Sequence, residues 1–172
     1  MIGEIVDKIS TIPGLALFNF VTQQIIMTWT KGEFRISTND AEFDIKYIHQ
    51  FLSNSYWAEN IPIETVQRSI KGSLSFGLFE GKKQIGFARV ITDQATFAYL
   101  ADVFIDESYR GKGLAKWLME IILQHPSLQG LRRFMLATRD AHWLYEQFGF
   151  TPIAEPQRLM QIHNPDAYKL HG

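Results

Sequence analysis

The chain has 172 residues, of which 46% are hydrophobic and 20% are charged, and its formal net charge is −1. This composition suits one globular domain rather than a disordered chain, and the charge gives no reason to expect nucleic acid or an anionic membrane as partner. Cysteine is absent, which excludes disulfides, zinc–thiolate sites and a cysteine nucleophile. We expect a soluble, cytoplasmic protein, because the N-terminus lacks the positive charge of a signal peptide.

Residues 1–32 show the least regular pattern, with a β-rich run near residues 18–29. We treat them as an N-terminal extension and expect the domain itself to cover residues 33–172. The extension is either a genuine extra element or a stretch upstream of a natural start at Met27. The second hypothesis is favoured, because the sequence that follows has the pattern of a complete domain.

From Glu33 onward, strand and helix patterns alternate. Strands are predicted at 32–38, 73–80, 84–92, 97–105 and 133–137, and helices from about 43 to 51, 62 to 70, 113 to 124 and 141 to 148. Asn39 or Asp40 is expected to cap the first helix and Gly149 to end the last one. Two closing strands are predicted at 150–154 and 158–163. Because strands joined by a hairpin cannot all be parallel, the fold class is a mixed α/β sheet.

The stretch from Asp106 to Ala115 joins a predicted strand to a predicted helix. Gly111 and Gly113 leave backbone N–H groups open at the positive end of the helix dipole, and Arg110 and Lys112 add positive charge. This chemistry favours a phosphate-bearing ligand. The spacing matches neither a P-loop nor a dinucleotide-binding fingerprint, and a glycine-rich turn with solvated charges is the alternative.

The sequence Arg-Gly-Lys-Gly-Leu-Ala at residues 110–115 resembles the Arg/Gln-x-x-Gly-x-Gly/Ala signature of the GNAT acetyltransferase superfamily. A second motif of that family is similar to residues 141–150, AHWLYEQFGF, and the order of elements resembles the family fold over residues 33–162. The resemblance implies a mostly antiparallel twisted sheet flanked by helices, with an acyl-CoA cleft between splayed central strands. It also implies an acetyl-CoA-dependent N-acetyltransferase that works by direct transfer in a ternary complex.

The same resemblance implies which residues meet the co-substrate acetyl-CoA. The pyrophosphate would lie against Arg110, Gly111, Lys112, Gly113, Leu114 and Ala115, and pantetheine would meet the backbone of Val103, Phe104 and Ile105. Thr138 stands where many relatives have an asparagine against the pantetheine arm, and its side chain is shorter.

Catalytic roles are likewise implied by position. Tyr145 resembles the family tyrosine that protonates the departing sulfur, the alternative being that it only packs its helix. A backbone N–H near Val103 is expected to stabilise the oxyanion. Some relatives carry a glutamate base where this chain has Tyr99, so Asp102 is the nearest candidate base. Strand alternation places it on the opposite face unless a bulge intervenes, and a locally satisfied carboxylate or a water chain are alternatives.

The acceptor amine is expected to lie against the loop at residues 54–61. One of Tyr56 and Trp57 would contact the acceptor while the other packs over the sheet, and Glu59 would attract its ammonium group. Asp140 is expected to cap a helix and His142 to be structural or exposed.

The acceptor is expected to be a small-molecule amine or a peptide terminus. The histidine spacing predicts no metal site, and the resemblance allows a homodimer. The alternatives are a non-catalytic acyl-CoA-binding or regulatory module on the same fold, and a purely structural domain.

Overall fold

A computed structural model of the chain describes residues 25–169, so the part of the predicted β-rich run before residue 25 lies outside the described residues. The strands are β1 (Thr28–Lys31), β2 (Phe34–Ser37), β3 (Leu74–Glu80), β4 (Lys83–Thr92), β5 (Phe97–Ile105) and β6 (Arg133–Leu136). The helices are α1 (Ile45–Ser53), α2 (Ile63–Lys71), α3 (Leu114–Gln124) and α4 (His142–Glu146). None of these helices is long and apolar enough to cross a bilayer.

The six strands form one sheet in the order β1-β2-β3-β4-β5-β6. Each neighbouring pair from β1 to β5 is antiparallel, and β5 and β6 are parallel. The predicted mixed sheet is therefore confirmed. The boundary predicted at residue 33 falls in the turn between β1 and β2, so residues 28–31 belong to the sheet.

Helices cover both faces of the sheet and bury one apolar cluster on each. On one face α3 contributes Leu114, Trp117, Leu118, Ile121 and Ile122 to a cluster with buried residues of β2 to β5. On the other face α1 and α2 contribute Ile48, Leu52, Val66 and Ile70, which pack with Phe79, Phe87 and Phe104. The sheet is thus the middle layer of three. Because β5 and β6 are parallel neighbours in it, their C-terminal ends point in the same direction.

Two of the predicted helix caps are wrong. Asn39 caps a short 3-10 turn instead, and Asp44 caps α1 by accepting the N–H of Tyr47 at 3.0 Å. Asp140 does not cap α4, which begins after Ala141. Ala141 is the N-cap and α4 has no side-chain capping bond. The hydroxyl of Thr138 accepts the N–H of Ala141 at 3.0 Å, in the turn before the helix.

The closing strands predicted at 150–154 and 158–163 are also wrong. Apart from a 3-10 turn at Pro156–Arg158, the segment from 151 to 163 has no regular structure, and Met160 and Ile162 are fully exposed. Pro152 cannot donate a ladder hydrogen bond in the first of these segments. Neither segment pairs with a strand of the described sheet, so side-chain alternation is not accompanied by strand pairing here.

A histidine after α3 is expected to make stability depend on pH. His125 is 4% exposed, its Nδ1 accepts the N–H of Ser127 at 3.2 Å, and its ring lies edge-on to Phe76. Burial holds the pKa of His125 below its ordinary 6.5. Protonation therefore favours the unfolded chain. The contribution of the neutral ring to the free energy of unfolding is fully present above pH 6.5 and decreases as the pH falls below 6.5.

We predict that His125→Asn flattens this part of the profile. Asparagine keeps an acceptor for the Ser127 N–H but cannot be protonated. Urea unfolding at pH 7.5 and 5.5 should show that the wild type loses more stability than the variant, by at most about 1.4 kcal/mol per pH unit. An equal loss in both proteins would contradict this assignment.

Candidate active site

The parallel strands β5 and β6 part at the centre of the candidate site. Their pairing ends at Leu100 and Leu136, although β5 continues to Ile105. The backbone of residues 101–105 on that side therefore has no strand neighbour among the described residues. An unpaired strand edge can bind an extended ligand through its amide groups.

A β-bulge lies in the same part of β5. Phe87 pairs with Phe104 and Arg89 pairs with Ala101, so two residues of β5 oppose the single residue between them on β4. Asp102 has a φ of 55° there, a left-handed conformation that costs a non-glycine residue about 1 kcal/mol. Because a bulge leaves its extra residue without a ladder partner, we expect a backbone N–H at Asp102 or Val103 to be free for a ligand.

The glycine-rich loop follows β5 and leads into α3. Gly111 and Gly113 have φ of 78° and 75°, and Gly113 is the N-cap of α3 without a side-chain capping bond. A Cβ at either glycine would meet no atom within 4 Å, so backbone conformation rather than lack of space favours glycine here. The first N–H groups of α3 have no carbonyl partner within the helix, which suits an anion.

The two cations of the loop have different partners. The Arg110 guanidinium forms an exposed ion pair with Glu107 at 3.2 Å. The Lys112 Nζ lies 4.9 Å from the ring centre of Tyr109 and 5.6 Å from that of Phe34. Both side chains are exposed, so both can turn towards a phosphate at low cost.

Tyr145 lies on the short helix α4, partly buried and edge-on to Phe150 at 6.0 Å. Its hydroxyl makes no hydrogen bond with any residue from 25 to 169. Burial, and to a lesser extent the neighbouring Tyr56 and Asp140, raises the pKa of Tyr145 to about 12. The side chain is therefore protonated at physiological pH, which is the form that a proton donor requires.

The loop between α1 and α2 reaches the bulge through Trp57. The indole Nε1–H of Trp57 donates to Asp102 Oδ1 at 3.2 Å, and Arg89 Nε forms an ion pair with Asp102 Oδ2. Trp57 and Tyr56 pack edge to face with ring centres 4.9 Å apart. Both aromatic rings remain more than 40% exposed, so neither is a buried lid over the sheet.

Tyr56 continues these contacts towards α4. Its hydroxyl accepts the backbone N–H of Arg139 at 3.2 Å, and the Arg139 guanidinium lies 3.7 Å from the centre of its ring. Contacts thus run from the bulge at Asp102 to the loop that precedes Tyr145. Glu59 is exposed and makes no hydrogen bond or ion pair with the described part of the chain, so it does not join this group.

Two residues of the site were missed by the sequence analysis. Arg89 is the one charged residue in positions 85–91 of β4, where the other residues are apolar or glycine. A charge in such a run could have indicated a buried partner. Arg139 had no comparable signal, because its contact with Tyr56 spans 83 positions of the sequence.

Within residues 25–169 no three His, Asp or Glu side chains are grouped so as to hold a metal ion.

Comparison with known proteins agrees with this geometry. Residues 71–152 match the acetyltransferase (GNAT) domain. A candidate acetyltransferase of Gibberella zeae is 31% identical in an alignment 140 positions long, which covers 68% of this chain and 78% of the relative. The crystal structure of a GNAT-family candidate acetyltransferase from Xanthomonas campestris pv. campestris is 51% identical with a TM-score of 0.77, covering 79% of this chain and 96% of that one.

A more distant structure shares the fold and was crystallised with acetyl-CoA. It is a candidate acetyltransferase from Clostridium acetobutylicum, 13% identical with a TM-score of 0.56, covering 80% of this chain and 96% of that one. This chain belongs to the GNAT acetyltransferase family.

Proposed function

We propose that the protein transfers the acetyl group of acetyl-CoA directly to the amine of a small molecule or a peptide terminus. The observation that carries the proposal is the parting of β5 and β6 next to the glycine loop. It leaves the edge of β5 unpaired up to Ile105, and the backbone path continues from there through the glycine loop to the first N–H groups of α3. A ligand with a diphosphate and two amide groups in an extended arm fits such a path.

The residues that would hold acetyl-CoA follow from this path. The N–H groups of residues 111–115 would bind the diphosphate, with Arg110 and Lys112 beside it. The backbone of Val103, Phe104 and Ile105 would pair with pantetheine. Thr138 already accepts one hydrogen bond from Ala141, so its hydroxyl hydrogen is left to donate to the arm.

Acetyl-CoA supplies the acetyl carbon as an activated thioester. The acceptor nitrogen forms a bond to this carbon while the bond from carbon to sulfur breaks. A backbone N–H of the bulge, at Asp102 or Val103, donates to the carbonyl oxygen as negative charge develops on it. Tyr145 donates its hydroxyl proton to the departing sulfur, and the proton lost by the acceptor nitrogen passes to water, from which Tyr145 is reprotonated.

The acceptor must react as the neutral amine. A primary amine with an ordinary pKa near 10.4 is mostly protonated at neutral pH, so its proton must be removed before attack. The Asp102 carboxylate is paired with Arg89 and also accepts from Trp57. Removal by water is therefore the simpler route.

Calorimetric titration with acetyl-CoA, followed by a panel of amines, tests the proposal. Free CoA can be measured with a thiol reagent without background from the protein, because the chain contains no cysteine. We expect binding at micromolar concentration and thiol release that depends on an amine. Binding without release on any amine would favour a non-catalytic acyl-CoA-binding module instead, and absence of binding would refute both.

A further inference from the structure

Asp102 has partners that a general base would have to disturb. Its side chain is 8% exposed, its Oδ1 accepts from Trp57, and its Oδ2 is paired with Arg89, whose side chain is 16% exposed. A carboxylate that moved to take a proton from an acceptor would have to give up one of these contacts, and breaking a nearly buried ion pair is costly. The arrangement therefore suits a carboxylate that keeps its position throughout a reaction.

The sheet holds Asp102 and Arg89 firmly. Arg89 lies within β4, and its Nη1 donates to Ser73 Oγ at 3.2 Å, at the residue before β3. Asp102 is fixed by the bulge between β4 and β5. The ion pair is thus built on two adjacent strands, β4 and β5, which change position less readily than loops.

Within residues 25–169, Trp57 is the side-chain partner of Asp102 that comes from a loop. The loop at residues 54–61 connects α1 to α2, and its other aromatic residue, Tyr56, contacts Arg139 beyond β6. The loop therefore spans the space beside the bulge and is attached at two points. The hydrogen bond from Trp57 is a charge-assisted attachment to the sheet.

We propose that Asp102 is a positioning residue that ties the loop at 54–61 to the bulge through Trp57 and so fixes one wall of the acceptor site. The acceptor site rests on the proposed function, whereas the attachment of the loop to the bulge does not. Arg89 holds the carboxylate in one orientation, and Trp57 links it to the loop.

Hydrogen exchange of the full chain tests the attachment without any turnover. The N–H groups of Asn60 and Ile61 are bonded to Ser53 and Ala58 at 3.1 and 3.0 Å, so they report on opening of the loop. Trp57→Phe keeps most of the ring but removes the donor. We expect exchange of the amides at 55–61 to become about tenfold faster, as for loss of one hydrogen bond to a charged group.

Trp143→Phe is the matched control, because Trp143 is an exposed indole on α4 that makes no side-chain hydrogen bond within residues 25–169. It should leave exchange at 55–61 unchanged. If Trp57→Phe also leaves this exchange unchanged, Asp102 does not tie the loop and the proposal is overturned, whether or not the protein binds acetyl-CoA.

Kinetics with an identified amine then separate positioning from base catalysis. Positioning predicts that Trp57→Phe and Asp102→Asn each raise KM for the amine several-fold, while the shape of the pH profile and the affinity for acetyl-CoA stay the same. Base catalysis predicts that Asp102→Asn alone lowers kcat by about a hundredfold and removes one limb of the pH profile. The second pattern would overturn the proposal. If Asp102→Asn fails to fold, the KM of Trp57→Phe for the amine is the test: a several-fold increase supports positioning, and an unchanged KM overturns it.

Discussion

Tyr145→Phe is expected to lower kcat by about a hundredfold while the dissociation constant for acetyl-CoA stays unchanged. General acid catalysis contributes about 10² to 10⁴ to a rate, and the variant removes only the hydroxyl that would protonate the sulfur. The ring remains, so its contact with Phe150 and the packing of α4 are kept. Steady-state kinetics and calorimetry on the same preparation measure the two quantities separately.

Tyr168→Phe is the matched control, since Tyr168 is a partly buried tyrosine that packs against the cluster of α1 and α2. It should leave kcat unchanged. If Tyr145→Phe behaves in the same way as this control, Tyr145 has only the packing role and the sulfur leaves without its help.

The pH dependence of kcat gives a further test of Tyr145. Its pKa is raised to about 12, chiefly by burial, and the active form of a proton donor is the protonated one. Activity that depends on Tyr145 is therefore present at neutral pH and is lost only as the pH rises through 12. We expect no alkaline decrease in kcat up to pH 10, and a decrease with a midpoint near 9 would contradict this role.

The elements with strong local signals were predicted correctly from the sequence. Strands β3 and β4 lie within a residue of the predicted ranges 73–80 and 84–92, with Gly81 at a φ of 57° in the turn between them, and α3 begins after Gly113, close to the predicted start at 113. The prediction of the two closing strands was wrong because it relied on a local signal for a structure that depends on distant residues. Their side-chain alternation is local, whereas a strand exists only where a neighbouring edge accepts its backbone hydrogen bonds.

The bulge shows the same limit at the level of single residues. From the sequence we could infer that Asp102 reaches the face of Tyr99 only if a bulge interrupts the strand alternation. The sequence did not show whether such a bulge exists. The bulge depends on the register between β4 and β5, and it brings Asp102 to Arg89 and Trp57, which lie 13 and 45 positions away. Contacts over such separations are set by tertiary packing, so the choice between base and structural carboxylate could not be made from the sequence.

Gly113→Asp is expected to weaken acetyl-CoA binding by at least about a hundredfold. The substitution places a negative side chain at the N-cap of α3. The backbone N–H groups there, which have no carbonyl partner within the helix, would otherwise bind the diphosphate. Repulsion between this carboxylate and a diphosphate in a site partly shielded from water is worth a few kcal/mol, and about 2.7 kcal/mol corresponds to a hundredfold. Calorimetric titration of the variant with acetyl-CoA measures the effect.

Two further variants separate this repulsion from backbone strain. Gly130→Asp puts the same side chain at another left-handed glycine, with a φ of 71° and no atom within 4 Å of a Cβ, in the loop after α3 rather than before it. It should cost similar stability in urea unfolding yet bind acetyl-CoA normally. Gly113→Ala keeps the strain at residue 113 without the charge and should lose only a small part of the affinity. If Gly113→Asp binds as tightly as Gly130→Asp, the diphosphate does not lie at the start of α3, and the cleft between β5 and β6 must hold acetyl-CoA in another orientation.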